Sequence, residues 1–151
     1  MSKNIHPLFK TRGVPGTHDI NLIKKFFYFV KNKRFKKTKL PKFDKSIDDR
    51  SKKKYWFNIK ERPEIVILEG WCVGAKPQIN SLIKKPVNLL EKLEDKNLIW
   101  RKFFNEKLKK EYKKLFKMID YTIFMKIPNF NMVFKWRLLQ ENKLRKKSQF
   151  K

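Results

Sequence analysis

Glu64-Ile65-Val66-Ile67-Leu68-Glu69-Gly70-Trp71-Cys72-Val73-Gly74-Ala75-Lys76-Pro77 carries an unbroken apolar run at 65–68, β-branched at three of its four positions and bounded by Pro63 and Gly70. Such a run reads as a short strand buried on both faces, as in a parallel sheet. In open α/β sheets ligands sit outside the carboxyl ends of strands. Glu69, followed by Gly70 and Gly74, is therefore a candidate for chemistry. The same residues also allow a plain buried strand whose Glu69 caps a helix or pairs with a lysine. Cys72, the single cysteine, reads as a small buried thiol behind the strand and excludes an internal disulfide.

Upstream, residues 39–50 run from a pre-proline Leu40, biased to extended geometry, into a polar loop of Asp44, Lys45, Ser46, Asp48, Asp49 and Arg50. A loop mixing acids, a hydroxyl and cations suits a small polar ligand, although most such loops are only solvated. Residues 51–62 read as a basic linker with Tyr55, Trp56 and Phe57 packing back. Before them, Leu22, Ile23, Phe26, Phe27 and Val30 form one apolar stripe of a helix over 20–30, capped by Thr17 or Asp19. The glycines and prolines of 6–19 mark irregular chain.

Downstream, 79–83 and 87–98 read as helices, with Leu89, Leu90 and Leu93 as the buried face of the second. Residues 98–119 hold the longest helical pattern, with Trp100, Phe103, Phe104, Leu108, Tyr112, Leu115, Phe116 and Ile119 at three- and four-residue steps. Residues 121–128 resemble a second buried strand, and 130–144 return to helix. Alternating helices and strands predict an α/β layered fold in one domain spanning residues 1–151.

With 40 Lys+Arg against 14 Asp+Glu, the chain of 151 residues carries a formal charge of +26. Such a charge favours anionic ligands. Lysine-rich, alanine-poor composition is also what an A+T-rich genome writes, and most aromatics fall on apolar helix stripes, so nucleic-acid binding is the weakest reading. No secretory leader and no membrane-length apolar run is visible, which predicts a cytoplasmic protein without a membrane partner. Two histidines and one cysteine offer no zinc spacing, and no Gly-x-Ser-x-Gly elbow is present. Phosphoryl transfer fits better, because it needs positioning and charge neutralisation rather than a special nucleophile. A phosphate-cradling Gly-x-x-x-x-Gly-Lys-[Ser/Thr] loop is missing, and the four glycines, at 13, 16, 70 and 74, cannot supply one.

Four blocks, in order and spacing, resemble the glycerate kinase family of P-loop kinases, relatives of uridine kinase, phosphoribulokinase and pantothenate kinase. They are His6-Pro7-Leu8-Phe9-Lys10-Thr11-Arg12-Gly13-Val14-Pro15-Gly16-Thr17-His18-Asp19, Pro41-Lys42-Phe43-Asp44-Lys45-Ser46 with Asp49-Arg50, Ile67-Leu68-Glu69-Gly70-Trp71 with Gly74, and Trp136-Arg137-Leu138-Leu139-Gln140-Glu141. The resemblance implies a partial P-loop kinase-type α/β fold, three layers with a parallel sheet flanked by helices. It implies transfer of the ATP γ-phosphate to a small hydroxy acid such as D-glycerate, with Mg2+. By position it puts Arg12, His18, Asp19, Lys45, Ser46 and Arg50 around the acceptor, with Asp44 and Glu69 catalytic. Glu69 would also hold Mg2+ through water, and Arg137 would lie beside the phosphates. In the family the Walker A loop precedes the His-Pro block, where only five residues stand here. The chain is thus expected to be an N-terminally truncated kinase that associates with a missing N-terminal segment and lacks activity alone. The alternative is a non-catalytic module that binds an anionic metabolite.

Overall fold

A computed structural model of the chain describes residues 4–32, 35–44, 46–47, 49–70 and 72–148. The chain divides into two compact units, Met1–Asp120 and Tyr121–Lys151.

In the first unit a 3-10 turn, Pro7–Phe9, opens the described chain, and α1 (Ile20–Lys31) follows. Asp19 caps α1, its Oδ1 accepting from the Leu22 N–H at 3.1 Å. A short acceptor side chain ahead of an apolar stripe satisfies one of the orphan N–H groups of the first turn. Four short strands come next: β1 (Thr38–Leu40), β2 (Phe43–Asp44), β3 (Asp49–Arg50) and β4 (Phe57–Ile59). β1 pairs antiparallel with β4, and β2 pairs antiparallel with β3, setting Phe43 opposite Arg50 and Asp44 opposite Asp49. The stretch read as a linker over 51–62 therefore contributes a strand, and Trp56 alone of its aromatic trio is half-buried, donating Nε1–H to the Ser51 carbonyl at 2.8 Å.

Helices α2 (Asn80–Lys84), α3 (Leu89–Glu94) and α4 (Ile99–Lys107) follow, and α4 runs through a π-helical segment, Leu108–Tyr112, into α5 (Lys113–Phe116). This is the long helix that the periodicity of 98–119 predicts. Its Leu108, Tyr112 and Leu115 bury against Ile20 and Phe27 of α1 and against Cys72, with Val66, Leu68, Phe104 and Phe116 packed around them. Burial also pushes the Cys72 thiol pKa up, as befits an inert core thiol.

At the start of α4 a charged knot is buried. Asp95 accepts from the Trp100 and Arg101 backbone N–H groups at 2.9 and 3.1 Å and from Arg101 Nε at 2.9 Å. Arg101 spends its other donors on the carbonyls of Ile83 and Asp95. Full satisfaction of both partners is what lets such a pair sit below 5% exposure.

Two expectations are corrected. Residues 65–68 take no regular secondary structure and belong to no ladder among the described residues, where both sheets are two-stranded and antiparallel. The parallel pairing expected there is not formed: Val66 and Leu68 face the core while Ile65 and Ile67 stand 79% and 85% exposed. An apolar run specifies extended chain that seeks cover, whereas a ladder also needs a neighbouring strand. Leu89, Leu90 and Leu93 are likewise exposed, so α3 has no buried apolar face among the described residues.

The second unit begins with irregular chain over 121–128, where the expected buried strand is not formed, since Tyr121, Ile123, Phe124 and Met125 are exposed and in no ladder among the described residues, and it continues as α6 (Phe130–Ser148). No helix among the described residues is long and apolar enough to cross a membrane.

Candidate functional site

The irregular block before α1 is fixed by its own side chains. Thr17 Oγ1 accepts from the Gly13 N–H at 2.9 Å and donates to the Val14 carbonyl at 2.8 Å, closing a tight loop. Gly16 sits at φ +101°, and a Cβ there would lie 2.8 Å from Phe103 Cε1. Only glycine lets the loop lie this close to α4.

Several of the residues singled out in the sequence meet here. Arg50 Nη1 on β3 reaches Asp19 Oδ2 at 3.1 Å, while the other carboxylate oxygen of Asp19 holds the start of α1. The Arg12 guanidinium stacks 3.6 Å from the centroid of the Phe43 ring on β2, the strand paired with β3. Stacking on an aromatic face leaves the planar fork of donors along its edge available to an anion. Asp44 follows Phe43, and its Oδ1 accepts from both the N–H and the hydroxyl of Ser46, at 2.9 and 2.6 Å. Those hydrogen bonds hold the Asp44 carboxyl below its ordinary pKa. A cleft of about 240 Å³ opens beside it, lined by Lys42, Phe43, Asp44, Ser51 and Tyr55. Lys45, Asp48 and Trp71 lie outside the described residues.

His18 is half-buried behind Arg12, and its Nδ1 lies 2.7 Å from the Tyr112 hydroxyl. Burial, reinforced by the Arg12 charge, lowers its pKa from the ordinary 6.5 and so favours the neutral ring. Tyr112 was read from the sequence only as one apolar step of a helix stripe. The signal available was its hydroxyl, which needs a partner once the ring is buried.

Glu69 stays outside this cluster, and Arg137 falls in the second unit. Glu69 is exposed, and among the described residues no hydrogen bond or ion pair ties it to the others. No group of three His, Cys, Asp or Glu side chains suited to a metal is gathered among the described residues. Arg137 belongs to the second unit, where its guanidinium bonds Gln140 and Glu141 on α6, both at 3.0 Å. A second cleft, about 260 Å³ between 76–91 and α4, contains none of the sequence candidates.

The arrangement can grip a small anion with two guanidinium groups and place an ionised carboxylate beside a hydroxyl. No protein-family model matches the chain. It is 30% identical over 148 residues to an uncharacterized kinase of Schizosaccharomyces pombe, mug58, covering 93% of this chain and 51% of that one. It is also 30% identical over 151 residues to a Saccharomyces cerevisiae protein named as a probable ATP-dependent kinase, covering 91% of this chain and 47% of that one. Among solved structures, D-glycerate 3-kinase from Cryptococcus neoformans superimposes with a TM-score of 0.78 at 26% identity, over 98% of this chain and 54% of that one. The chain therefore spans about half the length of these proteins. Its mixture of helices and short strands is an α/β, kinase-like fold.

Proposed function

From its membership of a glycerate kinase-like family, we propose that this chain forms the acceptor-binding side of an ATP-dependent phosphotransferase acting on a small hydroxy acid such as D-glycerate. The observation that carries the reading is the joining of residues 12–19 to the β2–β3 hairpin through the Asp19–Arg50 ion pair and the Arg12–Phe43 stack. These contacts set the cationic edge of the cluster and Asp44 on the same hairpin.

Each side chain then has a task. Arg12 and Arg50 receive the carboxylate of the acid, since a guanidinium fork matches two carboxylate oxygens. His18 contributes a neutral polar edge. Asp44, ionised and steadied by Ser46, accepts the hydrogen of the hydroxyl to be phosphorylated and points that oxygen outward. Lys45 adds positive charge in the same loop. The phosphoryl donor is held outside this sequence, which contains no Gly-x-x-x-x-Gly-Lys loop. Glu69 and Arg137 are left to the nucleotide side.

That missing loop also favours a second reading, a module that binds the acid without reacting it. Titration calorimetry separates the possibilities. D-glycerate should bind the chain, and Arg12→Ala should weaken that binding about tenfold or more, the loss of one charged hydrogen-bonding partner being worth roughly 1.5–3 kcal/mol. No binding by the unaltered chain would overturn the acceptor reading. ATP with magnesium should bind only when the chain is joined to a portion that carries the phosphate loop; a joined protein that binds D-glycerate but transfers no phosphate would favour the non-catalytic module.

A further inference from the structure

Counting hydrogens around Tyr112 decides which nitrogen of His18 carries its proton. Tyr112 is 2% exposed, and its Oη lies 3.0 Å from the Gly16 N and 2.7 Å from His18 Nδ1. A backbone N–H can only donate, so the phenolic oxygen accepts from Gly16. The phenol owns one hydrogen. Were His18 protonated at Nδ1, Oη would accept twice and its own hydrogen would be buried with no acceptor among the described residues. With Nδ1 bare the relay closes: Gly16 N–H donates to Oη, and Oη–H donates to Nδ1. Buried polar hydrogens are rarely left unpaired, so the closed relay is the arrangement these atoms support.

We propose that Tyr112 is a positioning residue which holds His18 as a neutral imidazole with its hydrogen on Nε2. This rests on the acceptor-site reading only for what His18 meets there. The far edge of the ring then donates a hydrogen bond to an oxygen of the ligand, its carboxylate by preference, and cannot take a proton from the ligand hydroxyl. The base role falls to a carboxylate. Two independent features agree. The Tyr112 pKa is pushed up to about 12, chiefly by burial, so the phenol keeps the hydrogen it must give. The neighbouring charge that reaches His18 is cationic Arg12, which opposes the imidazolium, while Asp19 is occupied by Arg50 and by the start of α1.

The test reads the proton directly. With 15N-histidine in the whole chain, two-bond 1H–15N correlation at neutral pH should show His18, assigned by the signal lost in His18→Gln, as the Nε2–H form. Tyr112→Phe, which keeps the ring in the core, should convert that signal to a mixture of tautomers and weaken D-glycerate binding about tenfold. An Nδ1–H pattern in the unaltered chain overturns the proposal, and so does an Nε2–H pattern that persists unchanged in Tyr112→Phe. A clean Nε2–H signal lost in Tyr112→Phe, with no D-glycerate binding by either protein, would uphold the relay while sinking the acceptor reading.

Discussion

Asp95 shows how much can rest on one side chain. Burial alone would push its pKa up, yet the hydrogen bonds from Arg101 and from the backbone N–H of Trp100 and Arg101 outweigh that and hold it below 3.8. Asp95→Ala should cost about 3–5 kcal/mol in urea unfolding, because it strands a guanidinium that is 4% exposed. A group whose folded pKa is depressed stabilises above its unfolded value and loses that contribution as pH falls through the folded one. Acid unfolding of the native chain should therefore include a step below pH 3.8 that Asp95→Asn lacks. Tyr112 works with the opposite sign at the alkaline end. Its folded pKa of about 12 lies above the ordinary 10, so the unfolded chain releases the proton first and stability falls as pH rises through that interval. Chemical denaturation at stepped pH should find a shallower alkaline decline in Tyr112→Phe. At this scale the sequence was legible where a residue acts on its nearest neighbours. The cap of α1 was legible as Thr17 or Asp19, because a cap is local, and Asp19 fills it. Arg101 carries no such local mark among forty basic residues, since nothing in a linear string shows that its partner lies six positions back and underground.

Helices declared themselves through period: α1 and the long α4–π–α5 helix sit where their stripes predicted, and most of the stripe residues pack in the core. Strands were harder to place. The apolar runs at 65–68 and 121–128 read as strands but carry no address for a pairing partner. The leucines of α3 teach the same lesson, for a stripe states which face seeks cover without supplying it. Ile65→Ser with Ile67→Ser should accordingly change unfolding free energy by less than about 1 kcal/mol, as exposed substitutions do. The same pair should lower self-association at high protein concentration, read by light scattering, because exposed apolar segments of strand-like sequence recruit one another. A loss of several kcal/mol instead would mean that these isoleucines already pack in the folded chain.

Over the whole molecule, a formal charge of +26 sets a background attraction to any polyanion. If that attraction is no more than background, binding to duplex DNA seen at low salt should fade by roughly 0.15 M salt and show no preference among sequences. Retention at that ionic strength would call for a specific nucleic-acid surface. The general α/β, kinase-like character was legible because four separated blocks kept their order along the chain, and order survives where individual contacts are unreadable. The sequence singled out Arg12, His18, Asp19, Asp44, Ser46 and Arg50, which meet around the start of α1 and the β2–β3 hairpin. Their wiring was not legible, because Phe43 and Tyr112 enter through ring faces and a hydroxyl that apolar pattern alone treats as filler.

The π-helical segment Leu108–Tyr112 acts as a phase adjuster. Straight α-helix turns about 100° per residue and a π turn takes up one extra residue, so winding these same residues as regular α-helix would swing everything on one side of the segment by about a quarter of a turn relative to the other. Leu115 could be refilled by a neighbour of similar shape. Tyr112 could not, for its hydroxyl would leave His18 behind, and a chain that had gained a more regular helix would have lost the fixed orientation of its imidazole.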